Sequence, residues 1–194
     1  MNTYCKYVTK ITFVGDSCIG KTAICDYLTN NIHNKYYEKT VGVNYITYNT
    51  TSNHTLCIWD TTGDKEFIPF TKQYFNGTDV ICIFFKASYV DVSKTGVRDT
   101  SNVYNSSCFQ QDDSYESIDE WHDIIINNTT ILPVIFIINI NYNNYYTNYN
   151  DIRIKAASMG AFYYELNMSN IYELFDIISL SFNNISCVSR TISG

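Results

Sequence analysis

The sequence of 194 residues predicts a single α/β domain, with a mostly parallel sheet of six strands covered by helices on both faces. Three observations lead to this prediction. Short apolar runs typical of buried strands alternate with segments of helical period. A glycine-rich turn joins the first of these strands to the first helix. Hydrophobic residues make up 45% of the chain, which is enough for one sizeable core.

The strands are predicted from apolar runs bounded by turn-forming residues. Val80–Phe85 and Pro133–Ile138 are continuous apolar runs, as expected of parallel strands buried on both faces. Two shorter runs are joined by the polar turn at Asn49–Asn53. The six predicted strands are Tyr4–Val14, Tyr45–Tyr48, Thr55–Trp59, Val80–Phe85, Pro133–Ile138 and Phe162–Leu166.

Four helices are predicted between and after the strands, at Thr22–Thr29, around Tyr115–Ile125, at Ile152–Met159 and at Ile171–Phe182. In the second of these, one helical face carries Tyr115, Ile118, Trp121, His122 and Ile125. Asp113 and Glu116 resemble a capping box for the second of these helices. Residues 88–113 are polar and without period, which indicates an inserted loop, either a partner site or a disordered surface segment. The predicted domain is therefore 1–183, followed by a short tail at 184–194.

Composition excludes some classes of function. The formal net charge is −6 and the isoelectric point about 4.9, which argues against a dedicated nucleic-acid binder. The seven cysteines form no Cys-x-x-Cys pair, which favours free thiols in a reducing compartment such as the cytoplasm. The longest apolar run, Ile131–Ile138, is too short to span a membrane.

Residues 11–24 carry the strongest chemical signal. An apolar strand leads into Gly-x-x-x-x-Gly-Lys-Thr, and a helix follows, which is the context of a phosphate-binding loop. Backbone amides at the helix start would face phosphate oxygens, and Lys21 would reach the β- and γ-phosphates. The residues predicted to surround the phosphates are Gly15, Ser17, Cys18, Ile19, Gly20, Lys21, Thr22 and Ala23.

A second and a third segment extend this site. Asp60-Thr-Thr-Gly63 follows an apolar strand, so that Asp60 can hold Mg²⁺ through water and the Gly63 amide can contact a γ-phosphate. Thr40 lies on a polar loop able to fold over the phosphates, where its hydroxyl would join that of Thr22 on the metal. Asn139 also follows a strand, and the carboxyl ends of parallel strands meet at one edge.

Together these motifs resemble the small GTPases of the Ras superfamily, and the Rab branch in particular. The segments that carry the resemblance are Gly15–Thr22, Thr40–Tyr45, Trp59–Phe67, Tyr74–Gly77 and Ser114–Trp121. The resemblance implies a P-loop NTPase G domain that binds GTP or GDP with Mg²⁺. It also implies a role in vesicle or membrane trafficking.

In this family two loops are held by the γ-phosphate and Mg²⁺ and released on hydrolysis. The resemblance assigns catalytic roles to Lys21, Thr40 and Gly63. It assigns contacts with effectors and with exchange or activating factors to residues 34–48 and 64–77. It also places His33 and Tyr37 beside the nucleotide, with His33 at the position of the base-stacking aromatic residue.

The chain departs from the family pattern at the hydrolysis step. Asp64 stands where the family has its water-orienting glutamine, and an ionised carboxylate cannot donate a hydrogen bond. Loss of one positioned donor typically costs about 10²–10³ in rate, so slow intrinsic GTP hydrolysis is expected.

The guanine-reading motif and the membrane anchor also differ. Asn139 fits the family's Asn-Lys-x-Asp motif, but Ile140 replaces the lysine and Tyr142 replaces the aspartate, which predicts weaker guanine selectivity. The tail 184–194 carries no prenylation motif, so no prenyl anchor is expected. We expect a cytoplasmic protein that is peripheral to endomembranes only through partners.

Three functions agree with these observations to different degrees. The first is a Rab-like switch that hydrolyses GTP slowly. The second is a catalytically impaired scaffold or decoy for Rab regulators and effectors, favoured by Asp64 and Tyr142 but opposed by the intact phosphate and metal residues. The third is a nucleoside or nucleotide kinase, which leaves Thr40–Val43 and Trp59–Gly63 unexplained.

Overall fold

The computed structural model describes residues 7–30, 39–51, 54–86, 116–141, 149–167 and 169–190, with side chains described to Phe182. His33, Tyr37, Tyr142 and most of the predicted loop-bearing segments, including 88–113, lie outside these ranges.

A six-stranded sheet forms the centre of the domain, which confirms the predicted architecture. Its strands are β1 (Tyr7–Val14), β2 (Val43–Asn49), β3 (His54–Thr61), β4 (Val80–Phe85), β5 (Val134–Ile140) and β6 (Phe162–Leu166). Their order is β2-β3-β1-β4-β5-β6. β2 pairs antiparallel with β3, and every other pair is parallel.

The helices are α1 (Lys21–Asn30), α2 (Ile68–Thr71), α3 (Ser117–Asn128), α4 (Tyr149–Ser158) and α5 (Ile171–Arg190). α2 was not predicted, because one turn between two short 3₁₀ turns is too short to show a helical period. The backbone of α5 continues past the predicted end at Phe182 and into the segment predicted as a tail.

The capping-box prediction for α3 is wrong at Glu116, and its other member, Asp113, lies outside the described residues. Glu116 is itself the residue that precedes the helix, and its side chain makes no capping hydrogen bond. The buried face of α3 was predicted correctly at three positions, because Ile118, Trp121 and Ile125 are all at most 1% exposed. His122, which was assigned to the same face, is only partly buried.

Two apolar layers cover the sheet, as expected for helices on both faces. α1 and α5 pack on one face, where Phe13, Ile138 and Phe175 are buried. α3 and α4 pack on the other face, where Ile137 and Trp121 are buried. The alternation of Ile137 and Ile138 between layers follows from the two-residue period of a strand. No helix in the described part of the chain is both long and apolar enough to cross a membrane.

The register of the central strands positions the site. Phe13 near the end of β1 lies beside Asp60 of β3, and Val14 lies beside Ile83 of β4. The turn after β1 and the last residues of β3 therefore reach the same edge of the sheet.

Candidate functional site

The turn after β1 has a backbone that side chains would obstruct. Gly15 has φ of 132°, and a Cβ there would lie 2.2 Å from the carbonyl oxygen of Phe84. Cys18, also in this turn, has a positive φ of 63°, which is uncommon outside glycine. The amide of Ile24 donates to the Gly20 carbonyl at 3.1 Å, so α1 begins directly at the end of the turn.

Lys21 is folded back over the same turn. Its ammonium donates to the carbonyl of Gly15 at 2.7 Å and to that of Asp16 at 2.8 Å. The residue is only 6% exposed. Burial lowers the pKa of Lys21 to about 8, against the opposing effect of the Asp60 and Asp16 carboxylates. The loop thus holds a cation at its centre that still has one donor for a ligand.

Three oxygen-bearing side chains converge beside Lys21. The Thr22 hydroxyl donates to Asp60 Oδ2 at 2.7 Å and lies 2.8 Å from the Thr40 hydroxyl. Because the Thr22 proton is used on Asp60, Thr40 donates in the second bond. The structure therefore brings together three residues that the sequence placed on α1, on the loop before β2 and at the end of β3.

Asp60 is the most buried member of this group, at 0% exposure. Burial raises the pKa of its carboxyl, while the hydrogen bond from Thr22 and the charge of Lys21 lower it. Its Oδ1 has no hydrogen-bond partner among the described residues. A buried carboxylate oxygen with an unused lone pair, beside two hydroxyls, matches the hard oxygen ligands that Mg²⁺ prefers.

Gly63 follows the end of β3 and presses on the turn after β1. A Cβ at Gly63 would lie 2.3 Å from the Asp16 carbonyl carbon and 2.4 Å from the Ser17 nitrogen. Such distances are shorter than van der Waals contact, so only glycine fits while the two loops stay in place. The Gly63 backbone therefore lies directly against the turn after β1.

Asp64 makes two contacts that the sequence did not predict. Its Oδ2 accepts from Lys39 Nζ at 2.6 Å, and its Oδ1 accepts from the Glu66 amide at 3.3 Å. The second contact caps the 3₁₀ turn Lys65–Phe67. Chiefly the hydrogen bond from Lys39, and then that from Glu66, lower the pKa of Asp64, so the carboxyl is ionised at neutral pH.

The region that the family uses to read the base is described only in part. Asn139 is 2% exposed at the end of β5, and Ile140 is equally buried in the core layer under α5. Ile140 therefore packs inside the domain. The Asn141 side chain donates to Glu165 Oε1 at 2.7 Å.

The turn from β6 to α5 is held by asparagine side chains. Asn167 Oδ1 accepts from the Ser169 amide at 2.9 Å, and Asn170 Oδ1 accepts from the Asn167 amide at 2.8 Å. These bonds fix the backbone between the end of β6 and the start of α5. Their residues are described, whereas Met168 is not.

α3 contributes site contacts that sequence reasoning missed. Trp121 Nε1 donates to Asp16 Oδ1 at 3.0 Å, and Glu120 forms an ion pair with Lys65. Trp121 was predicted only as part of an apolar face, since periodicity reports burial and not the destination of an indole N–H. Neither contact has a local sequence signal, because each partner is more than fifty positions away.

The cysteine prediction is correct for only some of the thiols. Cys25, Cys57 and Cys82 are free, and burial strongly raises the pKa of the two buried thiols, Cys25 and Cys82. Cys18 takes part in a disulfide bond, so the expectation of free thiols is wrong at that position. Sequence spacing alone does not reveal such a pairing.

An apolar surface lies between the two loops. Val41, Phe67 and Phe70 expose 90%, 40% and 65% of their surface. They border a cavity of about 280 Å³ that also contacts Gly42 and Tyr74. Exposed apolar groups clustered in this way are typical of a protein-binding surface.

An aromatic row continues this surface across the sheet edge. The rings of Tyr45 and Trp59 are 4.8 Å apart, and those of Trp59 and Tyr74 are 5.3 Å apart. Tyr45 is 49% exposed. Both ends of the row belong to the segments 34–48 and 64–77 that the sequence assigned to partners.

Comparison with known proteins agrees with this architecture. Residues 10–141 match the family model described as Ras of Complex, Roc, domain of DAPkinase. The chain is 25% identical to the Ras-related protein RABG3b of Arabidopsis thaliana over 126 residues, which are 63% of this chain and 51% of that protein.

Two further relatives have similar coverage. The Ras-related protein Rab-1 of Theileria annulata is 31% identical over 109 residues, half of each chain. The Ypt/Rab-type GTPase ypt7 of Schizosaccharomyces pombe is 26% identical over 121 residues, 61% of this chain and 48% of that protein. The matched part thus spans about half the length of the curated relatives. The family match shows that the chain belongs to the Roc and Ras superfamily of GTPase domains, in agreement with its sheet topology, and its low-identity similarity to Rab and Ypt proteins is consistent with a divergent Rab-like small GTPase.

Proposed function

We propose that this domain binds a guanine nucleotide with Mg²⁺ and acts as a slowly hydrolysing GTP/GDP switch. The observation that carries the proposal is the cluster of Thr22, Thr40 and Asp60 oxygens beside the buried ammonium of Lys21. A cation and a set of hard oxygen ligands at the start of a helix form a site for a metal–phosphate group.

In this proposal the Thr22 and Thr40 hydroxyls would hold Mg²⁺ directly, and Asp60 would hold it through water. The unused Oδ1 of Asp60 supports this role, because metal-bound water would satisfy it. When bound, the ion neutralises charge on the β- and γ-phosphates. The hydroxyl hydrogen bonds seen between these residues would then be exchanged for metal coordination.

The phosphates would lie in the turn formed by residues 15–23. Gly15, Ser17, Cys18, Ile19, Gly20 and Ala23 would contribute backbone amides, together with Thr22. Lys21 would place its third N–H on a phosphate oxygen while the other two stay on loop carbonyls. The Gly63 amide, which borders the same turn, would contact the γ-phosphate.

Slow hydrolysis follows from the chemistry of Asp64. Its carboxylate is ionised and accepts hydrogen bonds, so it cannot donate to the transition state as the family's glutamine does. We therefore expect intrinsic hydrolysis about 10²–10³ slower than with a positioned donor. An activating protein that supplies an arginine would recover about 10³–10⁵.

Guanine selectivity is proposed to be weak. Asn139 is at the expected edge of the sheet, but Ile140 is buried in the core and cannot cover a base as a lysine would. The replacement of the base-reading aspartate by Tyr142, and the nucleotide contacts of His33 and Tyr37, are proposed from the sequence alone. Charge-assisted contacts of the kind that is missing here are worth about 1.5–3 kcal/mol, or roughly 10–100-fold in affinity.

Partner binding is proposed for the apolar surface of Val41, Phe67 and Phe70 and for the aromatic row beside it. Effectors and exchange or activating factors would contact residues 34–48 and 64–77 there. Through such partners the protein would act at endomembranes in vesicle trafficking, as the resemblance of its motifs to the Rab branch implies. Nucleic-acid binding is not part of the proposal.

A scaffold or decoy function is the second candidate. Two observations favour it: Ile140 is buried where the family has its base-covering lysine, and Asp64 pairs with Lys39 where the family has its water-orienting glutamine. A cycling switch uses both of the missing groups. The Thr22–Thr40–Asp60 cluster opposes it, since a scaffold needs no metal ligands.

Three measurements test the proposal. Nucleotide extracted from the purified protein should be GTP or GDP, and titration with GTP, ATP and XTP should show GTP preferred by a smaller margin than in ordinary small GTPases. Single-turnover hydrolysis should be slow and should rise about 10²-fold in Asp64→Gln. The matched control is Asp64→Asn, which also replaces the carboxylate by an amide but has a shorter side chain than glutamine.

An empty site that takes up no nucleotide in the presence of Mg²⁺ would contradict the switch and support the scaffold. Rapid hydrolysis by the unmodified protein would contradict the assignment of Asp64.

A further inference from the structure

Lys39 and Asp64 join the two loops that border the nucleotide site. Lys39 Nζ lies 2.6 Å from Asp64 Oδ2. Lys39 directly precedes Thr40, and Asp64 directly follows Gly63. The pair therefore connects the residue before a proposed metal ligand to the residue after a proposed γ-phosphate contact.

A second link closes the arrangement into a ring. The Thr62 amide donates to the Gly42 carbonyl at 3.0 Å, at the point where β2 and β3 stop pairing. The ladder between β2 and β3 ends there, and the ion pair connects the two chain segments a second time beyond it. Thr40 and Gly63 lie on opposite arms of the ring, between its two links.

The charges of the pair are held in place on the Asp64 side. Asp64 also accepts from the Glu66 amide, and its side chain is only 21% exposed, against 56% for Lys39. A fixed acceptor costs less side-chain entropy on pairing than a free one. The ion pair can therefore hold the Thr40 loop in position.

We propose that Lys39 and Asp64 act as positioning residues that couple the two loops, so that Thr40 and Gly63 take up and leave their places together. Asp64 then has a structural role at the position where the family has its water-orienting glutamine. The pair would also keep bound nucleotide enclosed. This second effect rests on the proposed function, whereas the coupling of the two loops does not.

The coupling is tested by hydrogen exchange on the full chain without added nucleotide. The variants are Lys39→Met, Asp64→Asn and the double variant. Each single substitution should speed amide exchange in both segments, 40–42 and 63–66, by about 2–5-fold, the range that an exposed ion pair supports. The double variant should exchange no faster than either single one.

Lys65→Met is the matched control. It removes a similarly exposed lysine from the same loop and breaks its ion pair with Glu120 of α3, without touching the Thr40 loop. Exchange at 40–42 should stay unchanged in this variant. The proposal is overturned if each substitution affects its own segment alone, or if the effects of the two single variants simply add.

Release of a fluorescent GTP analogue with Mg²⁺ gives the second readout. Dissociation should be about 2–5-fold faster in Lys39→Met, in Asp64→Asn and, equally, in the double variant. Linked exchange in a protein that binds no nucleotide would uphold the coupling and reject the switch. Nucleotide binding with unlinked exchange would reject the coupling and leave the switch intact.

Discussion

At the scale of single residues, the site is built from groups that tolerate little change. Gly63 sits so close to Asp16 and Ser17 that any Cβ would collide with backbone atoms. Backbone atoms cannot rotate away as a side chain can, so the restriction is steric and absolute for this loop position. The same reasoning applies to Gly15 against Phe84.

Lys21 predicts a pH dependence. Burial lowers its pKa to about 8, so the nucleotide-free protein loses this charge at higher pH. Nucleotide affinity should therefore be constant below about pH 7 and fall above pH 8, by at most about tenfold per pH unit. Fluorescence titration with a nucleotide analogue between pH 7 and pH 9 measures this effect.

Lys21→Ala serves as the control for this profile, because its weaker binding should show no step near pH 8. The stability of the free protein should change in the opposite direction. Between about pH 8 and 10.5 the unfolded chain binds the additional proton, so unfolding free energy rises with pH in that window. A constant affinity from pH 7 to pH 9 would refute the assignment of Lys21 to the phosphates.

At the scale of elements, α3 supports the site from the side. Trp121 contacts Asp16 in the turn after β1, and Glu120 contacts Lys65 in the loop after Gly63. One helix thus touches both loops, although its sequence shows only an amphipathic face.

Replacement of Trp121 by phenylalanine should isolate the hydrogen bond. The variant keeps an aromatic ring in the core but leaves Asp16 without its indole donor, which should lower unfolding free energy by about 1.5–3 kcal/mol. Urea denaturation measures the loss. Trp59→Phe is the comparison variant, because that ring contacts the rings of Tyr45 and Tyr74 and not Asp16. Equal losses in both variants would show that ring volume and not the hydrogen bond is responsible.

At the scale of the whole molecule, the site joins elements that are distant in the chain. The Thr22–Thr40–Asp60 cluster links α1, the segment before β2 and the end of β3. A ligand that binds this cluster therefore stabilises the folded domain as a unit, because the unfolded chain offers no such arrangement.

Nucleotide with Mg²⁺ should raise the melting temperature. At about 100 times the Kd the gain is about 2.7 kcal/mol, or roughly 5–10 °C for a domain of this size. Thermal unfolding followed by circular dichroism measures the shift, and chelation of Mg²⁺ should remove most of it. Thr22→Ala, which lacks one proposed metal ligand, should show a smaller shift that no longer depends on Mg²⁺. An equal shift in that variant would count against the metal cluster.

Much of the fold was predictable from the sequence. The continuous apolar run Val80–Phe85 gave the bounds of β4 correctly, because a strand buried on both faces has no polar positions to blur its ends. The end of α5 was misplaced, since its polar residues after Phe182 do not show where the backbone helix stops. The turn of α2 was too short for any period to reveal.

By itself, the sequence determined the chemistry that the domain can offer. Residue type and spacing, which the amino-acid sequence contains, are enough for the glycine and lysine pattern, the strand alternation and the family resemblance. Only the tertiary structure decided which groups meet. The pairing of Lys39 with Asp64, the hydrogen bond from Trp121 to Asp16 and the unused oxygen of Asp60 depend on distances between remote segments. Those distances are set by sheet register and packing, and the pattern of neighbouring residues in the sequence does not indicate them.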